Sequence, residues 1–319
     1  MAVRIGVIGA GVMGASHVRT LAAEVEGADV AAVSDADLSR AEGAASAAGG
    51  RAIADPSALI RAADVDAVVV ASSDATHADF VLACIAEGKP VLCEKPLATT
   101  AEASLVVAEA EAAAGRRLVQ VGFMRRFDPA YAALKRRLDG GGLGDPLLLH
   151  CAHRNAAVPS TYTSEMLITS SLTHEIDVVR WLTGDEIASV TVHTPRASSR
   201  AGGIRDPQLV ILETDGGVIA DVEVFANAVY GYDIRCELVG EQDTASLPDA
   251  IAPTFLQRFA DAYRLELQDW VDGVAGDVPT GPSAWDGYAA SAVADACLTS
   301  LAAGGSVEVR LAQRLGLYA

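Results

Sequence analysis

The sequence predicts an α/β protein of two domains, the first built on a parallel sheet and the second an α+β domain with a large, mostly antiparallel open sheet. Length is the first observation, because 319 residues exceed what one modest hydrophobic core needs. The second is the alternation of β-branched and alanine-rich runs over residues 1–122, and the third is the succession of strand-like segments that follows. We therefore expect domains at 1–122 and 123–319, with the last helix able to pack back on the first domain.

Short apolar runs in the first domain are typical of strands buried on both faces, the clearest being Ala-Val-Val-Val-Ala at 67–71. Segments long enough for a crossover helix separate them. The predicted strands are 3–8, 30–34, 67–71, 91–93 and 118–122. The predicted helices are 13–25, 38–48, 75–87 and 100–114. This order of elements is typical of a doubly wound nucleotide-binding domain.

Alternating apolar and polar residues replace the continuous apolar runs after Gly122. The predicted strands of this second domain are 146–153, 187–193, 208–213, 218–225 and 232–239. Its predicted helices are 129–138, 173–182, 255–274 and 283–303. Asp215-Gly216-Gly217 is typical of a hairpin turn. Successive strands joined by such turns favour a broad, mostly antiparallel sheet.

Charge and composition argue against several classes of protein. The 24 Lys and Arg residues against 42 Asp and Glu give a net charge of −18, which repels nucleic acid and anionic lipid headgroups. With 51% hydrophobic and 21% charged residues, the chain can bury a large core and lacks the composition of a disordered protein. No apolar run reaches the roughly 18 residues of a membrane span. We expect a globular protein with neither a nucleic-acid nor a membrane partner.

The five cysteines are scattered and form no C-x-x-C pair. This usage is typical of reduced, mostly buried thiols in a cytoplasmic protein. Histidines and cysteines also lack the spacing of metal ligands, so we expect no bound metal.

A G-x-G-x-x-G motif, Gly9 to Gly14, follows the first predicted strand directly and begins the first helix. Gly9 allows the tight turn, Gly11 leaves room for a pyrophosphate, and Gly14 lets the helix approach the strand. Asp35 ends the second predicted strand, where a carboxylate accepts hydrogen bonds from ribose hydroxyls and repels a 2′-phosphate. The motif therefore predicts a Rossmann domain that binds NAD. Arg40 keeps NADP open, and a glycine turn without a ligand is the other alternative.

Glu94-Lys95-Pro96 follows the fourth predicted strand, at the carboxyl edge where such folds bind ligands. Lys95 is expected to project toward the nicotinamide end of a bound cofactor. Taken alone, it is equally well a surface lysine before a proline. The predicted cofactor-binding residues are Gly9, Gly11, Val12, Met13, Gly14, Asp35, Glu94 and Lys95.

His174 lies in the first turn of the predicted helix 173–182, on the face shared with Ser170, Ser171 and Asp177. A helix N-terminus lowers the pKa of an imidazole, which favours the neutral form that can accept a proton. A single histidine in this context is more often structural than catalytic. A nearby titratable partner such as Lys95 would favour the catalytic interpretation.

Four segments together resemble the Gfo/Idh/MocA oxidoreductase family, and within it the bacterial inositol 2-dehydrogenases. They are Gly9 to Gly14, Glu94-Lys95-Pro96, Gly122-Phe123-Met124-Arg125-Arg126-Phe127-Asp128 and His174-Glu175-Ile176-Asp177. The resemblance extends over essentially the whole chain. It implies a Rossmann domain for NAD and a sheet-rich domain whose face commonly forms a homotetramer. It also implies hydride transfer from a secondary alcohol of a cyclic polyol or sugar, here myo-inositol oxidised to 2-keto-myo-inositol (scyllo-inosose).

The same resemblance implies roles for individual residues. Lys95 would hydrogen-bond the reacting hydroxyl, and His174 would take its proton as general base. His153 and Asn155 correspond to positions that hold ring hydroxyls in inositol dehydrogenases, and Tyr232 is a further candidate. The alternatives for His153 and Asn155 are an ordinary strand residue and a turn former.

Ser170 departs from the family, since inositol dehydrogenases usually carry Asp four residues before the catalytic histidine. A carboxylate orients the imidazole and stabilises the imidazolium, whereas a hydroxyl supplies no charge. Activity would then be weakened, shifted to higher pH or directed at another substrate, unless Asp177 supplies the charge. Three hypotheses stay open: a myo-inositol dehydrogenase, an oxidoreductase of another sugar or inositol isomer, and a non-catalytic NAD-binding sensor on the same scaffold.

Overall fold

This computed structural model describes residues 2–319 of the chain. The strands in this part form one sheet of six strands and one of eight. The chain divides into two units. The first comprises the residues up to Met124 together with Tyr263–Ser291 and Gln313–Ala319. The second comprises Arg125–Ala262 and Ala292–Ala312.

The first unit contains a parallel sheet. Its strands are β1 (Val3–Ile8), β2 (Ala28–Ser34), β3 (Arg51–Ala52), β4 (Ala67–Val70), β5 (Val91–Cys93) and β6 (Val119–Val121). They lie in the order β3-β2-β1-β4-β5-β6, and every pair is parallel. The strand order reverses between β1 and β4, so the loops that leave these two strands diverge and open a crevice there.

Five helices connect these strands: α1 (Val12–Ala23), α2 (Leu38–Ala48), α3 (Pro56–Arg61), α4 (His77–Ala86) and α5 (Ala101–Ala114). Side chains close several of their first turns. Asp37 accepts the backbone N–H of Ser39 at the start of α2, and Thr100 accepts that of Ala103 at the start of α5. A short 3₁₀ turn, Asp74–Thr76, precedes α4.

The core of the first unit lies between this sheet and the helices that cover it. All four residues of β4 are buried, as the uninterrupted apolar run predicts for a central parallel strand. Leu267, Trp270 and Val271, which lie far along the chain, complete the cluster around β1 and α1. The segment 263–291 therefore belongs to this core although most strands of the second sheet precede it in sequence.

The second unit contains the larger sheet. Its strands are β7 (Pro146–Arg154), β8 (Ile187–His193), β9 (Gln208–Thr214), β10 (Ile219–Phe225), β11 (Tyr232–Gly240), β12 (Thr244–Ser246), β13 (Ile251–Ala252) and β14 (Ser306–Glu308). The order is β12-β11-β7-β10-β9-β8-β14, with β13 paired to β11. The pair β7 and β10 is parallel and the other pairs are antiparallel.

The remaining helices are α6 (Pro129–Asp139), α7 (Thr173–Thr183), α8 (Phe255–Arg258), α9 (Ala260–Gly276) and α10 (Ala284–Ala303). A 3₁₀ turn, Met124–Phe127, precedes α6, and a π-helix, Leu167–Leu172, leads directly into α7. Another 3₁₀ turn, Gly316–Tyr318, lies near the end of the chain.

The predicted fold class is confirmed, including the hairpin at Asp215, which joins β9 to β10 in antiparallel register. Two helices differ from the prediction. The predicted helix 255–274 is interrupted at Phe259, whose buried ring packs against Tyr232 and beneath the guanidinium of Arg258. The predicted helix 173–182 is preceded by the π-helix. The short elements β3, α3, β12, β13 and β14 were too brief for a periodic signal.

Candidate active site

A glycine turn at the carboxyl end of β1 builds the first half of the candidate site. Gly9 has a φ of +97°, and a Cβ atom there would lie 2.3 Å from the backbone oxygen of Ala71. A Cβ on Gly14 would lie 1.9 Å from the oxygen of Gly9, whereas a Cβ on Gly11 would meet no atom within 4 Å. Gly9 and Gly14 are therefore required by the protein's own backbone, and Gly11 leaves open space at the start of α1.

Asp35 links this turn to the next helix. Its Oδ2 accepts the backbone N–H of Ala10 at 2.7 Å, and its Oδ1 accepts that of Asp37 at 2.8 Å. Arg40 lies 3.7 Å from Asp35 and 3.3 Å from Asp37, so one guanidinium is shared by two carboxylates. The local charge is therefore negative, which disfavours a 2′-phosphate at this position.

These residues enclose a cavity of about 590 Å³. Gly9, Gly11, Val12, Met13 and Asp35 line it, as predicted for a nucleotide site. Val12 is 68% exposed, which leaves the first turn of α1 accessible. The open space at Gly11 and the acceptor at Asp35 fit the pyrophosphate and ribose of NAD, and the free N–H groups of α1 suit an anion.

Glu94 and Lys95 follow β5 in the same unit. Glu94 is buried, and its Oε1 lies 2.7 Å from Nε2 of His17 on α1. Burial alone would raise the pKa of Glu94, but the hydrogen bond from His17 and the neighbouring charges hold it below its usual range. The Glu94 side chain is thus engaged with α1. Lys95 is half-buried at the start of the following loop.

His77 secures that loop to the wall of the cavity. Its Nδ1 lies 2.7 Å from the oxygen of Pro96, and its Nε2 lies 3.2 Å from the oxygen of Ser72. Ser72 lines the nucleotide cavity, and Pro96 follows Lys95 directly. The imidazole of His77 therefore connects the backbone at Ser72 to the backbone at Pro96.

His174 lies in the second unit, and its position in the helix differs from the prediction. The helical backbone begins at Leu167 with the π-helix, so Thr173 and His174 continue an existing helix. Free N–H groups belong to the start of a helix, well before His174. The predicted effect of a helix N-terminus on the imidazole of His174 is therefore wrong. Ser170 lies inside the π-helix, so its offset from His174 differs from that of an α-helix.

Aromatic rings bring three predicted residues of this unit together. The ring of His153 lies 6.1 Å from that of His174 and 5.7 Å from that of Tyr232. All three side chains are buried. Burial raises the pKa of Tyr232 to about 12, so its phenol is protonated at neutral pH.

A buried ion pair between Arg125 and Glu175 lies next to His153. Arg125 donates to Glu175, and both side chains are only 1% exposed. Nδ1 of His153 lies 3.0 Å from Oε2 of Glu175 and 3.1 Å from Nη2 of Arg125. Burial alone would raise the pKa of Glu175, but Arg125 and His153 hold it below its usual range. The pair stays ionised and directs Nδ1 of His153 toward it.

Asn155 and the serines of the π-helix form a second polar cluster. Nδ2 of Asn155 donates to Oγ of Ser171 at 3.2 Å, and the hydroxyl of Tyr162 lies 2.9 Å from the same oxygen. Ser170 also hydrogen-bonds the phenol of Tyr162. Asn155 and Ser170 are therefore connected through Tyr162.

Asp177, the alternative source of charge for His174, forms an ion pair with Arg126. Nε of Arg126 lies 3.0 Å from Oδ2 of Asp177, whose side chain is 1% exposed. The adjacent Arg125 points to Glu175, as neighbouring residues on a short turn must diverge.

The sequence interpretation did not single out Glu175 or Tyr162. One sequence feature could have indicated Glu175: it is an acidic residue directly after the candidate base His174, in a helix whose residues are mostly buried. Tyr162 lies in an irregular segment that carries no periodic pattern. Its partners Met166 and Ser171 lie 4 and 9 residues further along the chain, where the irregular segment leads into the π-helix.

The predicted residues fall into two groups. Gly9, Gly11, Val12, Met13, Gly14, Asp35, Glu94 and Lys95 belong to the first unit, and His153, Asn155, Ser170, His174 and Tyr232 belong to the second. Joint action of Lys95 and His174 on one substrate remains a prediction.

Residues 2–319 lack two further features. Nowhere there do three His, Cys, Asp or Glu side chains form a group that could hold a metal ion. Among the helices of that same stretch, none combines the length and the apolar character that a membrane crossing requires.

Comparison with known proteins gives matches over both units. Residues 3–123 match the oxidoreductase family with an NAD-binding Rossmann fold, residues 131–246 its GFO/IDH/MocA C-terminal domain, and residues 246–309 its C-terminal alpha/beta domain. Inositol 2-dehydrogenase 1 of Saccharopolyspora erythraea is 56% identical over 100% of this chain and 99% of its own length. Inositol 2-dehydrogenase of Ralstonia nicotianae is 48% identical with the same coverage. The crystal structure of myo-inositol dehydrogenase from Lactobacillus casei in complex with NAD(H) and myo-inositol has a TM-score of 0.96, with 37% identity and full coverage of both chains.

Proposed function

The chain belongs to the GFO/IDH/MocA oxidoreductase family, and from this premise we propose that it is an NAD-dependent dehydrogenase of a cyclic polyol. The proposed reaction is the oxidation of myo-inositol to 2-keto-myo-inositol (scyllo-inosose). The observation that carries the proposal is the 48–56% identity to inositol 2-dehydrogenases over the full length of the chain. The matches cover the whole chain, and therefore both the first unit with its cavity and the second unit with its polar clusters.

Lys95 and His174 are the residues we assign to proton handling. The alcohol must lose a proton from oxygen as it loses a hydride from carbon. His174 accepts that proton on its imidazole, and the Lys95 ammonium donates a hydrogen bond to the same oxygen. NAD, when bound, accepts the hydride at its nicotinamide ring.

The first unit holds the cofactor in this proposal. The start of α1, from Gly11 to Met13, receives the pyrophosphate, and Asp35 receives the ribose hydroxyls. Gly9 and Gly14 shape the turn. Glu94 contributes through its hydrogen bond with His17 on α1, which fixes the segment that leads into Lys95.

The second unit recognises the substrate in this proposal. A cyclic polyol presents hydroxyl groups around its ring, each of which donates and accepts hydrogen bonds. His153, Asn155 and Tyr232 offer the imidazole, amide and phenol groups that such a ligand requires. The ion pair of Arg125 with Glu175 holds His153 in place.

The first experiment measures NADH formation by purified protein from myo-inositol, with scyllo-inositol, D-chiro-inositol and glucose beside it. Myo-inositol is expected to be the preferred substrate. NAD binding with no NADH formed from any polyol would contradict the proposal and would favour the sensor hypothesis.

Substitution of Lys95 tests the assigned proton handling. Lys95→Ala is expected to lower kcat by roughly 10²- to 10⁴-fold, because the reacting oxygen loses its hydrogen-bond donor, while the Kd for NAD changes little. Lys135→Ala is the control, since Lys135 pairs with Asp139 on α6. Unchanged turnover of the Lys95 variant would refute the assignment.

Ser170 supports a second candidate function, the oxidation of another sugar or inositol isomer. The family usually places a carboxylate at this position, and its loss changes both charge and shape beside His174. Ser170→Asp is expected to raise myo-inositol turnover roughly tenfold if only catalysis was weakened. Turnover that stays near zero, with another polyol active, would support the second candidate.

We also propose a homotetramer in the cytoplasm. The second sheet carries exposed Leu148 on β7 opposite exposed Ile219 on β10, an apolar pair that suits association with another copy. Light scattering on the native protein is expected to report the mass of four chains, and a monomer would contradict the proposal.

A further inference from the structure

The hydroxyl of Tyr162 is the centre of a chain of hydrogen bonds in the second unit. It lies 2.7 Å from the backbone oxygen of Met166 and 2.9 Å from Oγ of Ser171. Oγ of Ser171 lies 3.2 Å from Nδ2 of Asn155. Ser171 is buried, so water does not compete freely for these bonds.

The chemistry of the groups sets the direction of every bond in this chain. A backbone carbonyl only accepts, so the single phenolic hydrogen of Tyr162 is donated to Met166. Ser171 must then donate its own hydrogen to the phenol oxygen. Its lone pairs are left to accept from the amide of Asn155.

The protonation state of Tyr162 preserves this direction. Burial raises the pKa of Tyr162, although hydrogen bonds from Ser171 and Ser170 oppose the shift. The phenol therefore keeps its hydrogen through neutral pH. The hydrogen bond from Ser170 adds a second hydroxyl that points toward Tyr162.

The backbone of Asn155 is already held in place. Its N–H donates to the oxygen of Phe225 at 2.8 Å, and its own oxygen accepts the N–H of Ala228 at 2.8 Å. The remaining freedom is the rotation of the side-chain amide. The bond to Ser171 removes that freedom and leaves Oδ1 to face another partner.

We propose that Tyr162 and Ser171 are positioning residues that orient the Asn155 amide toward a hydroxyl of the substrate. The proposal rests on the proposed function, because it gives Asn155 a polyol to recognise. In this arrangement Oδ1 of Asn155 accepts a hydrogen bond from a ring hydroxyl. A substrate that lacks a hydroxyl at the matching position leaves that oxygen unpaired and binds less tightly.

The chain contains two asparagines, which makes the hydrogen bond directly measurable. Asparagine-selective ¹⁵N labelling gives side-chain amide signals from Asn155 and Asn227 only. Nδ2 of Asn227 donates to Asp206, so Asn227 is an internal reference. Tyr162→Phe and Ser171→Ala are expected to shift the Asn155 amide signals and speed their exchange with solvent. The Asn227 signals are expected to stay unchanged.

Kinetics test the role of the same bonds in substrate recognition. Tyr162→Phe keeps the aromatic ring and removes only the hydroxyl. We expect it to raise the KM for the polyol about fivefold, as loss of one neutral hydrogen bond predicts, with the Kd for NAD unchanged. The double variant with Ser171→Ala is expected to match the single variants, because both act through one chain. Tyr230→Phe is the control, since Tyr230 is 53% exposed.

The outcomes separate this proposal from the proposed function. Asn155 signals that do not respond to Tyr162→Phe would overturn the hydrogen-bond chain. Responsive signals with an unchanged KM, or with additive effects in the double variant, would overturn its role in substrate positioning. A wild-type protein that oxidises no polyol would refute the proposed function and the substrate role together, while the amide signals would still decide whether the chain of bonds forms.

Discussion

The carboxylate of Asp35 both hydrogen-bonds the backbone and contributes negative charge to the cavity. It accepts backbone N–H groups of Ala10 and Asp37, which ties the glycine turn to α2. It also keeps the cavity negative in spite of Arg40. Charge-assisted hydrogen bonds to backbone donors hold the carboxylate in one place, so its remaining lone pairs are oriented before a nucleotide binds.

Neutralising Asp35 should therefore change nucleotide selectivity. In Asp35→Asn the Kd for NAD is expected to rise about tenfold, because hydrogen bonds to a charged acceptor are lost. The Kd for NADP is expected to fall, since Arg40 then faces a 2′-phosphate with one fewer opposing charge. Fluorescence titration with both nucleotides measures this. Asp37→Asn is the control, because Asn also caps a helix well. Equal effects of the two variants would contradict the role of Asp35.

Glu175 acts on the candidate site through its neighbour His153. Its carboxylate is held between Arg125 and His153, and all three side chains are buried. Removing one partner of such a cluster would leave an unpaired charge, which is a large cost. The cluster therefore fixes the orientation of His153, and Arg125 and His153 offset the cost of burying the carboxylate of Glu175.

The turn between β1 and α1 is the element that we propose receives the cofactor, and it lines the cavity of the first unit. Its glycines differ in what they face: Gly14 faces the backbone of Gly9, whereas Gly11 faces open space. Folding therefore constrains Gly14, whereas in the proposed function the bound nucleotide constrains Gly11. The sequence motif is the same for both, and only the structure separates them.

Alanine substitutions at these two positions should have opposite consequences. Gly11→Ala is expected to leave the Tm nearly unchanged and to raise the Kd for NAD at least about tenfold, because the methyl group occupies space for the pyrophosphate. Gly14→Ala is expected to destabilise the protein by several kcal/mol, since its Cβ would overlap the oxygen of Gly9. Thermal unfolding and NAD titration of both variants measure the difference. A Gly11 variant that binds NAD normally would show that the pyrophosphate does not approach this backbone.

The π-helix before α7 places His174 within a continuous helix rather than at its start. Because the helical backbone starts at Leu167, Ser170 and Ser171 are inside a helix rather than in a preceding loop. Wider turns of a π-helix redirect side chains, and Ser171 is thereby placed within reach of Asn155 and Tyr162. The direction of the Ser170 side chain relative to His174 therefore depends on the π-helix as well as on the four-residue spacing in the sequence.

At the scale of the whole molecule, each unit contains a buried carboxylate that is kept ionised by a partner. Glu94 has His17 in the first unit, and Glu175 has Arg125 in the second. The pKa of both carboxyls is lowered in the folded protein. Their contribution to stability is therefore complete above the unfolded-state pKa of about 4.3, and it is lost as the pH falls toward the lower folded-state value.

We expect the Tm to drop steeply as the pH falls below about 4.3. Glu94→Gln should be less stable than the wild type by about 1–3 kcal/mol at pH 7, because the charged hydrogen bond with His17 is lost. The difference should narrow in acid, where the wild-type carboxyl also becomes neutral. Calorimetry across this pH range measures it. Parallel curves for wild type and variant would exclude Glu94 as a source of the pH dependence.

Much of the fold and part of the site could be predicted from local patterns. Apolar runs indicated the central strands, and the turn at Asp215 indicated a hairpin, because both signals lie within a few neighbouring residues. The G-x-G-x-x-G motif and Asp35 indicated the nucleotide cavity for the same reason. The break at Phe259 could not be predicted, since its partner Tyr232 is distant in sequence. The contacts of Tyr162 with Met166 and Ser171 are closer along the chain, but Tyr162 lies in an irregular segment that carries no periodic pattern.

Local patterns in the sequence indicated the two sheets and the family, and they supplied the candidate residues of the site. Periodicity and short motifs carry these signals within a few neighbouring residues, as in the glycine turn. The partner of each polar side chain, in contrast, is known from the folded chain alone: Glu94 pairs with His17, Arg125 with Glu175, and Tyr162 with Ser171. Each of these pairs joins residues from separate elements. Buried polar groups must be satisfied by whatever the fold brings near, and no local pattern records that choice.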